Sequence, residues 1–521
     1  MSWRVVFFIL SLIFVSCGKQ YSNEDLSIFK YNESSGIHTL DPAFAKDQAT
    51  IWVTNQLFNC LVQLDSNLDV KPSVSKNWEI SSDALHYIFY LRDDVFFHNH
   101  EYFSNGIGRK VIASDFEYSF NRILDKDLAA PGAWVFSNVE SFSAINDSVF
   151  SITLIKPFPA FLSLLSMQYC SVVPHEIISG GDFNQHPIGT GPFQFQLWQQ
   201  GSKLVLRRNP KYFEKEQGQS LPFLDAVAVT FIRDKQSAFL QFIKGELDFI
   251  SGVDASYKDE ILTRNGDLRS KYSGKISLQS LPYLNTEYLG FLLDKNPLPL
   301  EIRKAINYGF DRVKMIRYLR NNTGSPAVNG FVPLGLPSFS GELVGYNYNP
   351  EKAKELIASS NFDPNKEIIL STTSSYLDLC EYIQNSLVEI GLNVKIEVNP
   401  PSTHRQMVAT SKLFFFRGSW IADYPDAENY FSLFYSKNFC PGGPNYTHFS
   451  NVEFDRLYEE ALSELELDNR YALYNKMDQI LVDNAVIVPL YYDQVLRFYQ
   501  KNISGLGSNA MNLLDLKRVR K

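Results

Sequence analysis

The chain has 521 residues, which is too long for one hydrophobic core and long enough for two or three lobes. Hydrophobic residues make up 45% of the sequence and charged residues 20%, which excludes an intrinsically disordered chain and an integral membrane protein as general classes. The net charge of −8 argues against a nucleic-acid-binding protein, because phosphate contacts require a basic face.

The first 16 residues form a leader that contains one cation, Arg4, and a short apolar run and ends at Ser16, directly before Cys17. This run is too short to span a bilayer core of about 30 Å, so residues 1–16 are interpreted as a signal peptide for export. The junction resembles a bacterial lipobox, in which the cysteine carries the lipid, although Phe14 stands where leucine is usual. We therefore expect a lipoprotein that begins at Cys17, is anchored at the cell envelope and faces the periplasm or the exterior. An ordinary secretory signal with an incidental cysteine is the alternative.

The first half of the chain alternates between helical and extended patterns. Helical periodicity over Asp41–Leu64 predicts a helix, and Ala113–Leu124, which begins with an acidic turn, predicts another. The aromatic and β-branched run His86–Arg92 predicts a strand, and residues 194–198 and 204–208 predict a β-hairpin.

The second half repeats this alternation after an extended segment over residues 276–294. Two separate blocks of alternating strands and helices favour α/β lobes over an all-α or all-β fold. The predicted helices are Pro299–Asn307, Pro350–Ser359, Tyr376–Ile390, Ala427–Tyr435 and Phe454–Ala485, and the predicted strands are Glu367–Thr373, Asn393–Val398, Leu413–Phe416 and Ala485–Tyr492.

Four cysteines follow Cys17, namely Cys60, Cys170, Cys380 and Cys440. They form no CxxC motif and no close pair, so the sequence assigns no disulfide among them.

The chain contains no catalytic motif that would predict an enzyme. The strongest metal-binding candidate is the segment His98-Asn99-His100-Glu101, but it has no companion ligand cluster, so we predict no metal and no cofactor. The segment Gly189-Thr-Gly191 lacks the third glycine of a dinucleotide fingerprint, and no P-loop or Gly-x-Ser-x-Gly elbow occurs.

Six ordered blocks of sequence resemble bacterial family 5 extracellular solute-binding proteins, the oligopeptide- and dipeptide-binding receptors of ABC importers. The similarity runs from about Thr39 to about Tyr492, with two departures: Asn59-Cys60 replaces the usual Glu-Gly, and Asp294 stands where Asn is commoner. The blocks are Lys71–Trp78 with Ser82–His98, Ala113–Arg122, Pro187–Phe193 with Leu206–Tyr212, Ile302–Arg312, Tyr348–Leu356 and Gly418–Asp426.

The resemblance implies an α/β, two-lobed periplasmic-binding-protein type II fold with an extra subdomain in the first lobe and a ligand cleft between the lobes. We expect lobe I at residues 17–280 with an inserted subdomain at about 40–175, lobe II at 281–483, and a return to lobe I at 484–521. It also implies a monomer that captures short peptides by hinge closure and delivers them to ABC transporter permease subunits.

Asp423 is the first candidate ligand residue, because it matches the aspartate of the family's Trp-x-Ala-Asp segment, which resembles the group that pairs with a peptide α-ammonium. Trp420 and Tyr424 would lower the dielectric around this ion pair and strengthen it. Turn capping before Pro425 is the alternative for Asp423, and an ordinary core position is the alternative for Trp420. Arg417 resembles a group that meets a peptide carboxylate, with a solvated arginine at a strand end as the alternative.

Ser35 and Gly36 belong to a segment that resembles the backbone lining the cleft. Gly36 would permit a close backbone approach, and a turn glycine accounts for it equally well.

Family membership alone does not specify the ligand, because relatives carry nickel, haem, opines or oligosaccharides. The Trp420 and Asp423 arrangement favours peptides over these solutes. A surface protein with an inactive cleft stays a further alternative.

Overall fold

A computed structural model describes residues 26–179, 182–254, 257–295 and 297–521. The leader and Cys17 lie outside the described residues. No helix in the described ranges is both long enough and apolar enough to cross a membrane.

The described strands divide into three groups along the chain. The first group is β1 Ile28–Asn32, β2 Val62–Leu64, β3 Val70–Pro72, β4 Ser75–Ile80, β5 His86–Leu91, β6 Val139–Asn146, β7 Val149–Leu154, β8 Phe193–Gln199, β9 Lys203–Arg208, β10 Lys215–Glu216, β11 Gln219–Ser220, β12 Ala226–Thr230 and β13 Phe249–Ser251. The long strand β14 covers Ile276–Phe291. It is followed by β15 Ser325–Pro326, β16 Ile368–Thr372, β17 Val394–Val398, β18 Phe415–Ile421 and the second long strand, β19 Ile487–Gln500.

The helices of the described ranges alternate with these strands along the chain. They are α1 Gln48–Leu57, α2 Ala113–Leu124, α3 Phe161–Leu164, α4 Lys235–Ile243, α5 Lys258–Ile261, α6 Leu300–Tyr308, α7 Arg312–Leu319, α8 Pro350–Ser359, α9 Leu377–Glu389, α10 Pro401–Ala409, α11 Glu428–Phe431, α12 Val452–Ala461 and α13 Leu467–Asp483. The α/β class predicted from the sequence is confirmed.

One mixed sheet runs through both lobes, and the two long antiparallel strands β14 and β19 lie at its centre. On the lobe I side the order continues β13-β1-β12-β9-β8, and on the lobe II side it continues β18-β16-β17. A separate sheet, in the order β4-β5-β7-β6, belongs to the first part of the chain. Because β14 and β19 belong to the sheet on both sides, these two strands connect lobe I with lobe II. The predicted boundary at 280/281 falls within β14, and 483/484 falls just before β19; both boundaries remain a prediction.

Separate hydrophobic cores support each lobe. The first core draws on residues 29–249, on Tyr424 and again on residues 503–519, so the chain end packs with the first half of the chain. Two further cores occupy lobe II, one around Phe331 and Phe434 and the other around Phe291 and Phe415.

The helix predicted over Asp41–Leu64 is wrong in length, because α1 covers only Gln48–Leu57. The Asp47 carboxylate accepts a hydrogen bond from the Thr50 N–H (3.0 Å), so it caps the helix there. The backbone becomes extended at Phe58, and the residues that follow enter the β2–β3 pairing.

Candidate functional site

The loop that follows β18 carries Trp420 and Asp423, and one amide holds both of them. The Asn429 Oδ1 atom accepts hydrogen bonds from the Trp420 indole N–H (2.9 Å) and from the Asp423 backbone N–H (3.2 Å). Asn429 is buried at the start of the short helix α11. The sequence analysis did not single out Asn429. The feature that could have identified it is a lone amide side chain next to the aromatic residues that follow Asp426.

Asp423 is exposed to solvent, yet protein surrounds it closely enough for burial to raise its pKa above the ordinary value, against the lowering effect of Asn429. Burial raises the pKa of Tyr169, a lobe I residue, to about 12, and the negative charges of Asp423 and Asp47 add to this increase. Asp423 is therefore close enough to lobe I to interact electrostatically with Tyr169. Among the described residues, no basic side chain forms an ion pair with the Asp423 carboxylate. The carboxylate therefore lies near the interface of the lobes without a compensating cation.

Tyr424 is buried and bridges the lobes. Its ring lies 6.4 Å from that of Trp134 and 6.2 Å from that of Phe158, both in lobe I. Its hydroxyl donates to the Glu428 carboxylate, which also accepts from Tyr458. The structure thus places the predicted ligand residue Tyr424 in an interlobe packing contact.

Arg417 lies within β18 and forms an ion pair with Glu287 of β14. Both side chains are largely withdrawn from water, with 11% and 3% of their surfaces exposed. The Arg417 guanidinium carbon also lies 3.2 Å from the centre of the Tyr376 ring. Desolvation alone would lower the pKa of Arg417, but Glu287 and Tyr376 outweigh it and raise the pKa above its ordinary value.

A second carboxylate on the crossing strands has no ion-pair partner among the described residues. Asp493 of β19 accepts a hydrogen bond from the Asn285 Nδ2 atom at 3.1 Å, and the same nitrogen donates to Glu287 at 3.1 Å. Burial raises the pKa of Asp493 to about 6, with Asn285 opposing and Glu287 reinforcing the shift. Sequence reasoning missed Asn285, Glu287 and Asp493, although each is a polar residue within a long extended run.

Ser35 and Gly36 lie in the loop after β1, on the lobe I side. Gly36 has a φ of +76°, which favours glycine, and a Cβ atom there would meet no other atom within 4 Å. The Ser35 hydroxyl donates to the Glu33 carboxylate at 2.5 Å. These residues border a pocket of about 230 Å³, whose other lining residues include His38 and Arg233 but none of the four candidates in lobe II.

The metal-binding candidate His98 is a buried structural residue. Its Nε2 atom donates to the Gly191 carbonyl oxygen (3.0 Å), and its Nδ1 atom accepts from the Gly189 N–H (3.3 Å). Burial lowers the pKa of His98 to about 4, so the ring is neutral. Both ring nitrogens are thus occupied by backbone groups, which leaves neither for a metal.

The four cysteines after Cys17 are all buried, and none of them forms a disulfide in the structure.

Comparison with known proteins identifies one family and several relatives of full length. The family model described as bacterial extracellular solute-binding proteins, family 5, matches residues 69–439. Heme-binding protein A of Haemophilus influenzae is 26% identical over 467 residues, which cover 84% of this chain and 82% of the relative. The probable D,D-dipeptide-binding periplasmic protein DdpA of Escherichia coli is 26% identical over 500 residues, with 91% and 90% coverage.

A solved structure supports the same fold. The periplasmic binding protein DppA of Helicobacter pylori, in complex with the peptide STSA, superposes with a TM-score of 0.75 at 24% identity. The superposition covers 94% of this chain and 97% of that protein. The two-lobed type II architecture predicted from the sequence is therefore confirmed.

Proposed function

We propose, from the premise that the chain belongs to the bacterial extracellular solute-binding proteins of family 5, that it captures short peptides between its lobes for an ABC importer. Solute binding for such an importer follows from the family. Peptides as the solute, the lipid anchor and action as a monomer are our proposal.

The observation that carries this proposal is the exposed, uncompensated carboxylate of Asp423. An α-ammonium group would supply the missing positive charge and would offset the desolvation that raises the pKa of Asp423. Trp420 lies beside this position, held by the same Asn429 side chain, and offers an aromatic wall for the first residues of a peptide.

Arg417 contributes less to the proposed site than the sequence suggested. Its charge is already neutralised by Glu287, so a ligand carboxylate would have to share the guanidinium with that residue. Asp493 lies near the Arg417–Glu287 pair and has no ion-pair partner among the described residues, so the acidic side chains outnumber the basic ones at this position on β14, β18 and β19.

Closure would follow from the way the lobes are joined. A peptide that contacts Asp423 in lobe II and the wall of lobe I gains its full set of contacts only when the lobes approach, so binding favours the closed state. The contact of the Tyr424 ring with the rings of Trp134 and Phe158 supports this proposal, because it joins a lobe II residue to two lobe I residues.

The direct test is calorimetry of the purified chain with a pool of di- to pentapeptides. We expect saturable binding and recovery of every bound peptide intact, because the candidate ligand residues Trp420, Asp423 and Arg417 include no nucleophile paired with a base. An N-acetylated version of the same pool is the matched control and should bind more weakly. Saturable binding of haem, Ni²⁺, an opine or an oligosaccharide without peptide binding would overturn the proposal, and so would recovery of cleaved peptides.

The proposed lipid anchor makes a separate prediction. Replacing Cys17 by Ala removes the thiol that would be acylated, so the protein should move from the membrane fraction to the soluble fraction. Cell fractionation and the mass of the N-terminal peptide measure this change, with Cys440→Ala as a control that should stay in the membrane fraction. Unchanged partitioning together with an unacylated N-terminal peptide would contradict the proposal.

A further inference from the structure

A second chemical cluster lies in lobe II, apart from the candidate ligand residues. It consists of Asp294, shortly after β14, Ser411, shortly after α10, and Cys440 and His448 from the loop between α11 and α12. We refer to these four residues as the thiol cluster.

The imidazole of His448 connects the other members of the cluster. Its Nδ1 atom lies 2.6 Å from Asp294 Oδ2, and its Nε2 atom lies 3.3 Å from Cys440 Sγ and 3.0 Å from Ser411 Oγ. With the Nδ1 proton directed to the carboxylate, Nε2 is the atom that can accept a proton from the thiol. This is the arrangement of a nucleophile, a base and a group that orients the base.

Neighbouring groups hold this geometry in place. The Phe439 ring stacks on the His448 ring, with centroids 4.6 Å apart and an interplanar angle of 1°. Ser411 Oγ lies 3.1 Å from Cys440 Sγ and can donate to the sulfur once it is ionised. The Cys440 carbonyl oxygen lies 3.0 Å from Nε2 and can accept from the protonated ring.

The other three described cysteines lack such a base. Burial raises the pKa of the Cys60 thiol to about 12, and it raises those of Cys170 and Cys380 as well. The Cys60 and Cys170 thiols donate hydrogen bonds to the backbone carbonyl oxygens of Met167 and Leu164, which are too weakly basic to take the proton. All four side chains are buried, so exposure alone predicts equal and slow reaction.

We propose that Cys440 is a nucleophilic thiol that His448 and Asp294 activate for two-electron oxidation by small hydroperoxides. His448 Nε2 takes the thiol proton, and the sulfur attacks the distal peroxide oxygen. An S–O bond forms as the O–O bond breaks, and the imidazolium returns its proton to the leaving oxygen as an alcohol or water. The sulfur becomes a sulfenic acid while the peroxide is reduced.

Access favours a small oxidant. Only 4% of Cys440 is exposed, but Pro441 and Gly442, which follow it directly, are exposed at the surface. A hydroperoxide needs only a short path past this turn, whereas a bulky disulfide would have to open the loop.

The first experiment uses the unaltered full-length protein. Hydrogen peroxide is added together with dimedone, which traps sulfenic acids, and mass spectrometry of the peptides gives a rate for each cysteine. We expect Cys440 to react about 100-fold faster than Cys60, Cys170 and Cys380, since general-base assistance contributes on the order of 10²–10⁴-fold. A Cys440 rate equal to those of its three buried counterparts would overturn the proposal without reference to any variant.

The second experiment tests the base itself. We expect His448→Gln to lower the Cys440 rate about 100-fold and Asp294→Asn to lower it by a smaller factor. The matched control is His186→Gln, which removes a surface histidine paired with Asp182 at 2.6 Å and should leave the Cys440 rate unchanged. An unchanged or increased Cys440 rate in His448→Gln would show that the imidazole does not activate the thiol.

Discussion

Asp423→Asn should weaken peptide binding by at least about 30-fold, which corresponds to about 2 kcal/mol. The asparagine keeps the shape and the hydrogen-bonding capacity of the side chain but removes the charge that compensates the peptide ammonium. We expect the lower end of the range of about 2–5 kcal/mol for a desolvated charge pair, because Asp423 is exposed until the ligand covers it. Isothermal titration with one peptide selected from the pool measures the change.

A double-mutant cycle assigns this loss to the ammonium group. N-acetylating the peptide removes the other charge, so the two changes together should cost much less than the sum of their separate costs. Asp363→Asn, at an exposed turn of lobe II, is a matched control and should leave the affinity unchanged. Additive losses would show that another residue holds the ammonium, even if the chain proves to be a peptide receptor.

The second large effect concerns the buried pair between Glu287 and Arg417. Glu287→Gln should lower the free energy of unfolding by about 3–5 kcal/mol, because it leaves the Arg417 guanidinium buried without a counter-charge. Urea unfolding measures the loss, and a lower melting temperature should accompany it.

A double variant separates the ion pair from general packing. Replacing Arg417 by Met in the Glu287→Gln background removes the stranded charge, so we expect most of the lost stability to return. The exposed pair of Glu453 and Arg456 is the matched comparison, and Glu453→Gln should leave the unfolding curve unchanged. If Glu287→Gln unfolds like the unaltered protein, the charge of Glu287 does not stabilise Arg417.

Helices with strong local signals could be predicted closely from the sequence. The bounds predicted for Ala113–Leu124 and Pro350–Ser359 agree with α2 and α8. In α2 the Asp115 carboxylate accepts the Ile112 N–H, and in α8 the Asn349 side chain caps a helix that begins at Pro350. These signals lie within one turn of the helix end, so distant parts of the chain do not alter them.

Helices whose ends depend on packing were predicted poorly. The single helix predicted over Phe454–Ala485 is two helices, α12 and α13, although the residues between them include neither glycine nor proline. The helix predicted over Ala427–Tyr435 is reduced to α11, in which Tyr430 and Phe431 pack into a lobe II core. In both segments the apolar residues pack against several other elements of a lobe II core. The periodicity of one segment does not reveal which elements it packs against, so it cannot predict where the helix ends.

The family resemblance and the α/β class followed from the sequence by itself, because ordered motifs and alternating helical and extended patterns can be recognised along the chain without knowledge of its contacts. Asp423 as the leading ligand residue stays a prediction. Only the tertiary structure decided that Arg417 is paired with Glu287, 130 positions away, and that His448 lies between Asp294 and Cys440. The pairing of β14 with β18 and the packing of the loop before α12 create these contacts. The energy of a charge depends on which groups surround it in space, and the folded sheet sets that arrangement.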